Sequence, residues 1–200
     1  MLIAALVSSV KVIPMKNAFK YCARVVLVLL LAAPFSSLSA QNNPSTPAAA
    51  SPQANPSDVD SVEHLIAAVY DVISGPAGPR NWDRFRSMFY PGARLIPSHR
   101  DESGKISANS LTADQYADRA KAFFDKDGFF EAAVANRIEI WDHIAHVWST
   151  YESRHAKGEK PFARGINSFQ LLYDGSRWWV LTIYWEGEDP GHSIPEKYLK

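Results

Sequence analysis

FFEAAVANRIEIWDHIAHVWSTYESRHAKGEKPFARGINSFQLLYDGSRWWVLTIYWE, residues 129–186, is a series of four apolar, β-branched and aromatic segments divided by turn residues. The dividers are Asp142-His143, Lys157-Gly158-Glu159-Lys160 and Asp174-Gly175-Ser176. The pattern predicts strands over roughly 129–141, 144–156, 162–173 and 177–186. Connections this short predict antiparallel neighbours, a meander. In the last strand Trp179, Leu181, Ile183 and Trp185 alternate with Trp178, Val180, Thr182 and Tyr184, so strict period-two pairing leaves neither face written for water. A second apolar face calls for cover. A homodimer through the back of the sheet would provide it, and the tail from Gly187 to Lys200 offers partial cover.

Upstream of the meander the spacing turns helical. Val59, Val62, Leu65, Ile66, Val69, Val72 and Ile73 recur at three and four after Asp58, a candidate cap, and Gly75-Pro76 stops the pattern. Asn81 caps a second, short helix that runs to Phe89, with Trp82, Phe85, Met88 and Phe89 inward. Ala93 to His99 alternates as a short strand. Asp101 to Asn109 is polar and glycine-containing, a loop, and Thr112 opens a third helix with Tyr116, Ala120 and Phe123 or Phe124 on its inner face. Three helices followed by long adjacent strands predict an α+β domain in which the helices cover one face of a curved antiparallel sheet.

The N-terminal part has another character. Lys16, Lys20 and Arg24 precede an apolar run from Val25 to Ala33 and a small-residue exit from Ser36 to Ala40, the pattern of a signal peptide that starts at Met15 and is cut after Ala40. The apolar run is too short to span hydrocarbon about 30 Å thick, so no stable membrane anchor is expected after cleavage, and the domain is expected to be exported, periplasmic or secreted. Residues 41–57, QNNPSTPAAASPQANPS, bury too little to order themselves and read as a disordered linker. The folded domain is expected over 58–190, with a tail over 191–200. The first forty residues hold four bases and no acid, so the remainder carries 17 bases against 21 acids, which disfavours nucleic acid as a partner. Cys22, the one cysteine, falls before the apolar run and supports neither a disulfide nor a lipid box.

The order of helix, Trp82-x-x-Phe85-x-x-x-Phe89-x-Pro91-x-Ala93, third helix, and a meander ending Tyr173-Asp174-Gly175-Ser176-Arg177-Trp178-Trp179-Val180 resembles the nuclear transport factor 2-like superfamily. Its polyketide-cyclase-like, SnoaL-type branch is the nearest description, over about residues 58 to 190. The resemblance implies a cone, a bent sheet wrapped round the helices with an apolar pocket open at one end. Members include ketosteroid isomerases, scytalone dehydratase, polyketide cyclases and domains that catalyse nothing, so fold alone does not assign activity.

On that resemblance the isomerase base position falls at Pro97, which takes no proton. His99, two residues on, shares its face and is the candidate displaced base, or a solvated histidine beside Arg100 and Asp101. The oxyanion-side acid falls at Asn167, on the face of Phe169 and Leu171, where an amide either orients a ligand or pairs structurally. The tyrosine of the family's first helix falls near Val69, beside Tyr70. Val147, Ser149 and Tyr151 share the face implied to point into the cone, joined by Trp185, as an aromatic wall suited to a flat ligand or as ordinary core.

Elsewhere, Glu131, Arg137 and Glu139 alternate on one strand face with Trp141 and read as a solvated face with cross-strand ion pairs. His143 and His146 diverge and lack a third ligand, so no metal is expected. No phosphate loop, nucleophile elbow or paired-cysteine motif calls for a cofactor. Three functions stay open. The first is a domain binding a small apolar or aromatic ligand through Tyr70, His99, Ser149, Tyr151, Asn167, Phe169 and Trp185. The second is a metal-independent isomerase, dehydratase or cyclase in the same pocket, and the third a non-catalytic dimeric interaction module.

Overall fold

Polar caps start each main helix of the computed structural model, which describes residues 52–200. The expected signal peptide, with its Met15 start and its cut after Ala40, and the linker as far as residue 51 lie outside the described residues. Ala54 already packs against the core, and α1 (Pro56–Val59) follows at once. Asp58 therefore lies inside a first helical turn, and Ser61 caps α2 (Val62–Ile73) by accepting the His64 N–H at 3.1 Å. Asp58 instead receives Arg84, whose Nε and Nη2 donate to its two carboxylate oxygens at 2.8 and 3.0 Å while Nη1 reaches Asp71 at 2.5 Å. The guanidinium thus ties α1 and α2 to α3 (Trp82–Ser87), which Asn81 caps. A capping box between Thr112 and Gln115 opens α4 (Ala113–Phe124).

The strands are β1 (Phe89–Arg100), β2 (Ile106–Ala108), β3 (Phe130–Trp141), β4 (Ile144–Arg154), β5 (Ala163–Tyr173) and β6 (Trp178–Gly187). They form one curved, unclosed sheet in the order β2-β1-β6-β5-β4-β3. The meander from β3 to β6 is antiparallel, as its short turns require, but β1 runs parallel to β6. The sheet is mixed, which corrects the antiparallel expectation. A long-range pairing leaves no local mark in a sequence. Nor does β2, three exposed residues inside the expected loop that pair with Ser98, His99 and Arg100.

Two bulges decide which side chains face inward. In β3, Ala133 pairs with Tyr151 and Ala135 with Thr150, so Val134 is an extra residue. In β6, Val180 pairs with Leu171 and Thr182 with Gln170, so Leu181 is extra. Each extra residue shifts the alternation by one and moves the strand's following side chains to the other face. Trp178 and Val180 therefore share the inner face with Ile183 and Trp185, which corrects the strict alternation drawn from the sequence. In β3, Glu131 and Ala133 share the inner face with Ile138, while Arg137, Glu139 and Trp141 lie outside, Arg137 paired with Glu139 at 3.4 Å.

Cross-strand register stacks the inner face in rows. Ile138, Val147, Phe169, Ile183 and Leu95 form an apolar row across the sheet, and Val147 and Phe169 are wholly buried. The next rows run Ser149, Asn167 and Trp185, then Ala133, Tyr151 and Gly165, then Glu131, Ser153 and Ala163. A Cβ on Gly165 would lie 2.4 Å from the Tyr151 hydroxyl and 2.4 Å from the Glu186 carbonyl oxygen, so glycine gives the Tyr151 ring its seat. Over the apolar row lie Leu65, Ile66, Val69, Val72 and Ile73 of α2, all buried, together with Phe85 and Phe124. Phe123, the alternative to Phe124 on the inner face of α4, is instead exposed.

The tail returns over the outer face. The Thr150 hydroxyl donates to the Tyr198 carbonyl at 2.5 Å, and the Tyr198 ring meets Trp148 at 5.5 Å. Part of the sheet back is thereby covered by this chain's own last residues. Phe169 sits at the centre of the apolar row, so Phe169→Ala should lower unfolding free energy by about 3–5 kcal/mol, measured by urea denaturation.

Candidate functional site

The helices do not fill the concave face. Between α2, α3 and α4 on one side and the sheet on the other remains a cavity of about 260 Å³. Aromatic rings make much of its wall: Tyr116 stacks on Phe85 at 5.4 Å and meets Trp185 edge-on at 6.2 Å, and Tyr70 meets Phe169 edge-on at 6.3 Å. Phe129 and Phe162, 6.2 Å apart, also line it. The site is apolar and aromatic, with few polar groups.

The Glu131 carboxyl is brought in by the bulge at Val134. Its cross-strand neighbour Ser153 donates a hydroxyl hydrogen bond to Oε2 at 2.7 Å. Among the described residues no Lys, Arg or His lines the cavity and none forms a salt bridge with Glu131; Arg154, in the adjoining groove that Glu131 also borders, pairs with Glu152. Burial among rings and aliphatic groups pushes its pKa up to about 7, against weaker opposing pulls from the Ser153 hydroxyl and the Asn167 amide. A carboxyl with that pKa holds and releases a proton near neutrality, the property wanted of a general acid or base.

Three phenols surround it. Tyr70 is locked: Asn167 Nδ2 donates to its hydroxyl at 3.0 Å, leaving the hydroxyl proton for Ser149 Oγ at 2.7 Å. Burial raises the Tyr70 pKa, with the Glu131 charge adding to the rise against its two hydrogen bonds. Burial followed by the Glu131 charge also raises Tyr116 and Tyr151, so both stay protonated donors across the neutral range. Among the described residues neither the Tyr116 nor the Tyr151 hydroxyl has a hydrogen-bond partner, and both residues line the cavity.

Of the residues singled out in the sequence, Tyr70, Tyr151, Asn167, Phe169 and Trp185 line the cavity together. Ser149 lies behind them, fully buried, as the acceptor that fixes Tyr70. His99 is exposed at the far end of β1, where pairing with β2 sets its Nε2 3.3 Å from the Ser107 hydroxyl, outside the cavity lining. Glu131 and Tyr116 were not among those candidates. Tyr116 falls on the expected inner face of α4, where it reads as core. Glu131 reads as solvated only if β3 alternates without interruption, yet it is the one charged residue between Gly128 and Asn136, and that isolation among Phe and Ala is a signal of burial. His143 and His146 go to separate partners, Asp142 at 2.9 Å and Ser168 at 3.1 Å, and no group of three metal-binding side chains occurs among the described residues.

No family model matches the chain, nor does any curated protein sequence. Solved structures do. A protein of unknown function with a cystatin-like fold from Nostoc punctiforme aligns with TM-score 0.50 and 13% identity, over 68% of this chain and 92% of that one. A member of the NTF2-like family from Streptomyces avermitilis, provisionally described as a dehydratase, aligns with TM-score 0.50 and 10% identity, over 66% of this chain and 96% of that one. At such identities the likeness fixes the fold, the cystatin-like cone of NTF2-like proteins, and leaves the chemistry to the residues of this chain.

The raised pKa of Glu131 has a stability cost with a definite sign. Between about 4.5, its ordinary value, and about 7, the folded state holds a proton that the unfolded chain has lost. Folding free energy from this group is therefore greatest below that window and falls as pH rises through it, by about 3 kcal/mol in all. Glu131→Gln should remove the dependence, so that the variant gains on the parent as pH rises from acid to alkaline. Urea denaturation across that range measures it.

Proposed function

From an NTF2-like cone with an acid–base group in its cavity, we propose that the chain is an exported domain that binds one small, mostly apolar ligand within the cone. The observation that carries this reading is the aromatic cavity holding a half-buried carboxyl and two phenol hydroxyls that have no partner among the described residues. The Glu131 carboxyl takes one bond, from Ser153, and among the described residues the two phenol hydroxyls take none, so all three keep hydrogen-bonding capacity for something that enters. The volume sits just below the roughly 300–1,000 Å³ of common ligand clefts and limits the occupant to a small molecule. Export rests on the basic, apolar and small-residue order of residues 15–40.

Glu131 favours a second reading, proton transfer. Ionised, it would take a proton from a carbon beside a carbonyl, while the Tyr116 and Tyr151 hydroxyls donate to the oxygen on which negative charge develops. Protonated, it would return that proton to a neighbouring carbon or to a leaving hydroxyl. The residues suffice for an isomerase, dehydratase or cyclase step without a metal.

Two measurements separate these readings. Calorimetric titration with 2-indanol, flat and apolar with one hydroxyl, should give saturable one-to-one binding that Ile183→Phe, which fills the cavity, abolishes; binding that survives Ile183→Phe sinks the pocket reading. Deuterium uptake by 2-indanone in heavy water, followed by NMR, should be accelerated by the parent and reduced about a hundredfold or more by Glu131→Gln. Acceleration that survives Glu131→Gln would exclude the acid–base role.

A further inference from the structure

Charge sorts the ligands this cavity can hold. Its lining brings one carboxyl and, among the described residues, no Lys, Arg or His to balance it; the Ser153 hydroxyl bonded to that carboxyl and the Asn167 amide near it are neutral. A carboxylate without a counter-charge in an apolar setting is costly, and an anionic guest would add a second uncompensated charge. A positively charged guest does the reverse, since it supplies the missing partner.

The walls point the same way. The rings of Phe85, Tyr116, Phe129, Tyr151 and Trp185 line the space, and an aromatic face attracts a cation through its quadrupole, more strongly once water is excluded. The Tyr116 ring is half-buried against the core, and its hydroxyl oxygen, unpartnered among the described residues, has lone pairs free to accept an N–H. Carboxylate, aromatic faces and acceptor oxygens together make the complement of an alkylammonium group carried on a small apolar body.

We infer that the cavity selects a small apolar amine, bound as its ammonium ion against the Glu131 carboxylate and enclosed by aromatic rings. This inference rests on the reading of the cone as a ligand pocket. The proton balance is simple: a neutral amine that enters takes the Glu131 proton onto nitrogen, or an ammonium ion enters while Glu131 releases its proton to water. No other reactant is involved.

The test compares three indanes of one shape by calorimetric titration at neutral pH: 2-aminoindane, 2-indanol and indane-2-carboxylate. The amine should bind about tenfold or more tightly than the alcohol, and the carboxylate should not bind. Glu131→Gln should erase the preference, so that amine and alcohol bind alike, with circular dichroism verifying that the variant is folded. Equal or tighter binding of the alcohol by the parent overturns the inference and leaves the pocket reading intact. An amine preference that persists in Glu131→Gln also overturns it. If none of the three binds, the pocket reading itself fails and this inference fails with it.

Discussion

A sheet wrapped around helices must change the face it offers to the core part-way along its strands, and Val134 and Leu181 supply that change. Each is one residue more than the neighbouring strand can pair. Because side chains alternate with period two, one unpaired residue is enough to carry Glu131 and Ile138 to the same face, or Val180 and Ile183. Removing either extra residue exchanges inside for outside along half a strand. The apolar row, the carboxyl in the cavity and the outward placement of Arg137 and Glu139 all follow from that parity.

The inner face is then graded. Its middle row is aliphatic and aromatic and is closed by α2, whereas the rows beyond it carry Ser149 and Asn167, then Tyr151 over Gly165, then Glu131 beside Ser153. Tyr70, bonded to both Ser149 and Asn167, joins α2 to this polar side and holds the amide that lies near the carboxyl. The polar groups belong to two sets. One set is satisfied within the protein and rigid, and the other, Glu131, Tyr116 and Tyr151, is held in place by rings and left with hydrogen-bonding capacity unused. Sites that keep such capacity in a poorly solvating setting are where proteins carry function at the expense of stability.

Much of this is legible in the sequence wherever the information is local. The helical spacing from Val62 to Ile73, the Asn81 and Thr112 caps and the turns of the meander each lie within a few residues and form as the pattern predicts, whereas Val59 falls in a separate first turn that ends before the Ser61 cap. The inner face of β4 and β5 is legible too, because neither strand is interrupted over Val147 to Tyr151 or Asn167 to Leu171. What the pattern conceals is non-local or depends on a count. The parallel joint between β1 and β6 and the three-residue β2 are set by tertiary pairing. Glu131 is concealed by a single unpaired residue three positions away, and His99 is drawn outward by a strand with no hydrophobic signature of its own.

The parallel joint also sets the order in which the molecule can be completed. Phe89 and Leu95 find their partners Val180 and Ile183 only at the far end of the meander, and the tail that covers Trp148 follows later still. A nascent chain that has made its helices and β1 has only the three-residue β2 beside that strand and no far wall for the cavity. Contacts so distant along the chain make loop closure the slow step of folding. The cavity therefore forms late and as a whole, when the last strand arrives, and no shorter N-terminal fragment of the fold encloses it.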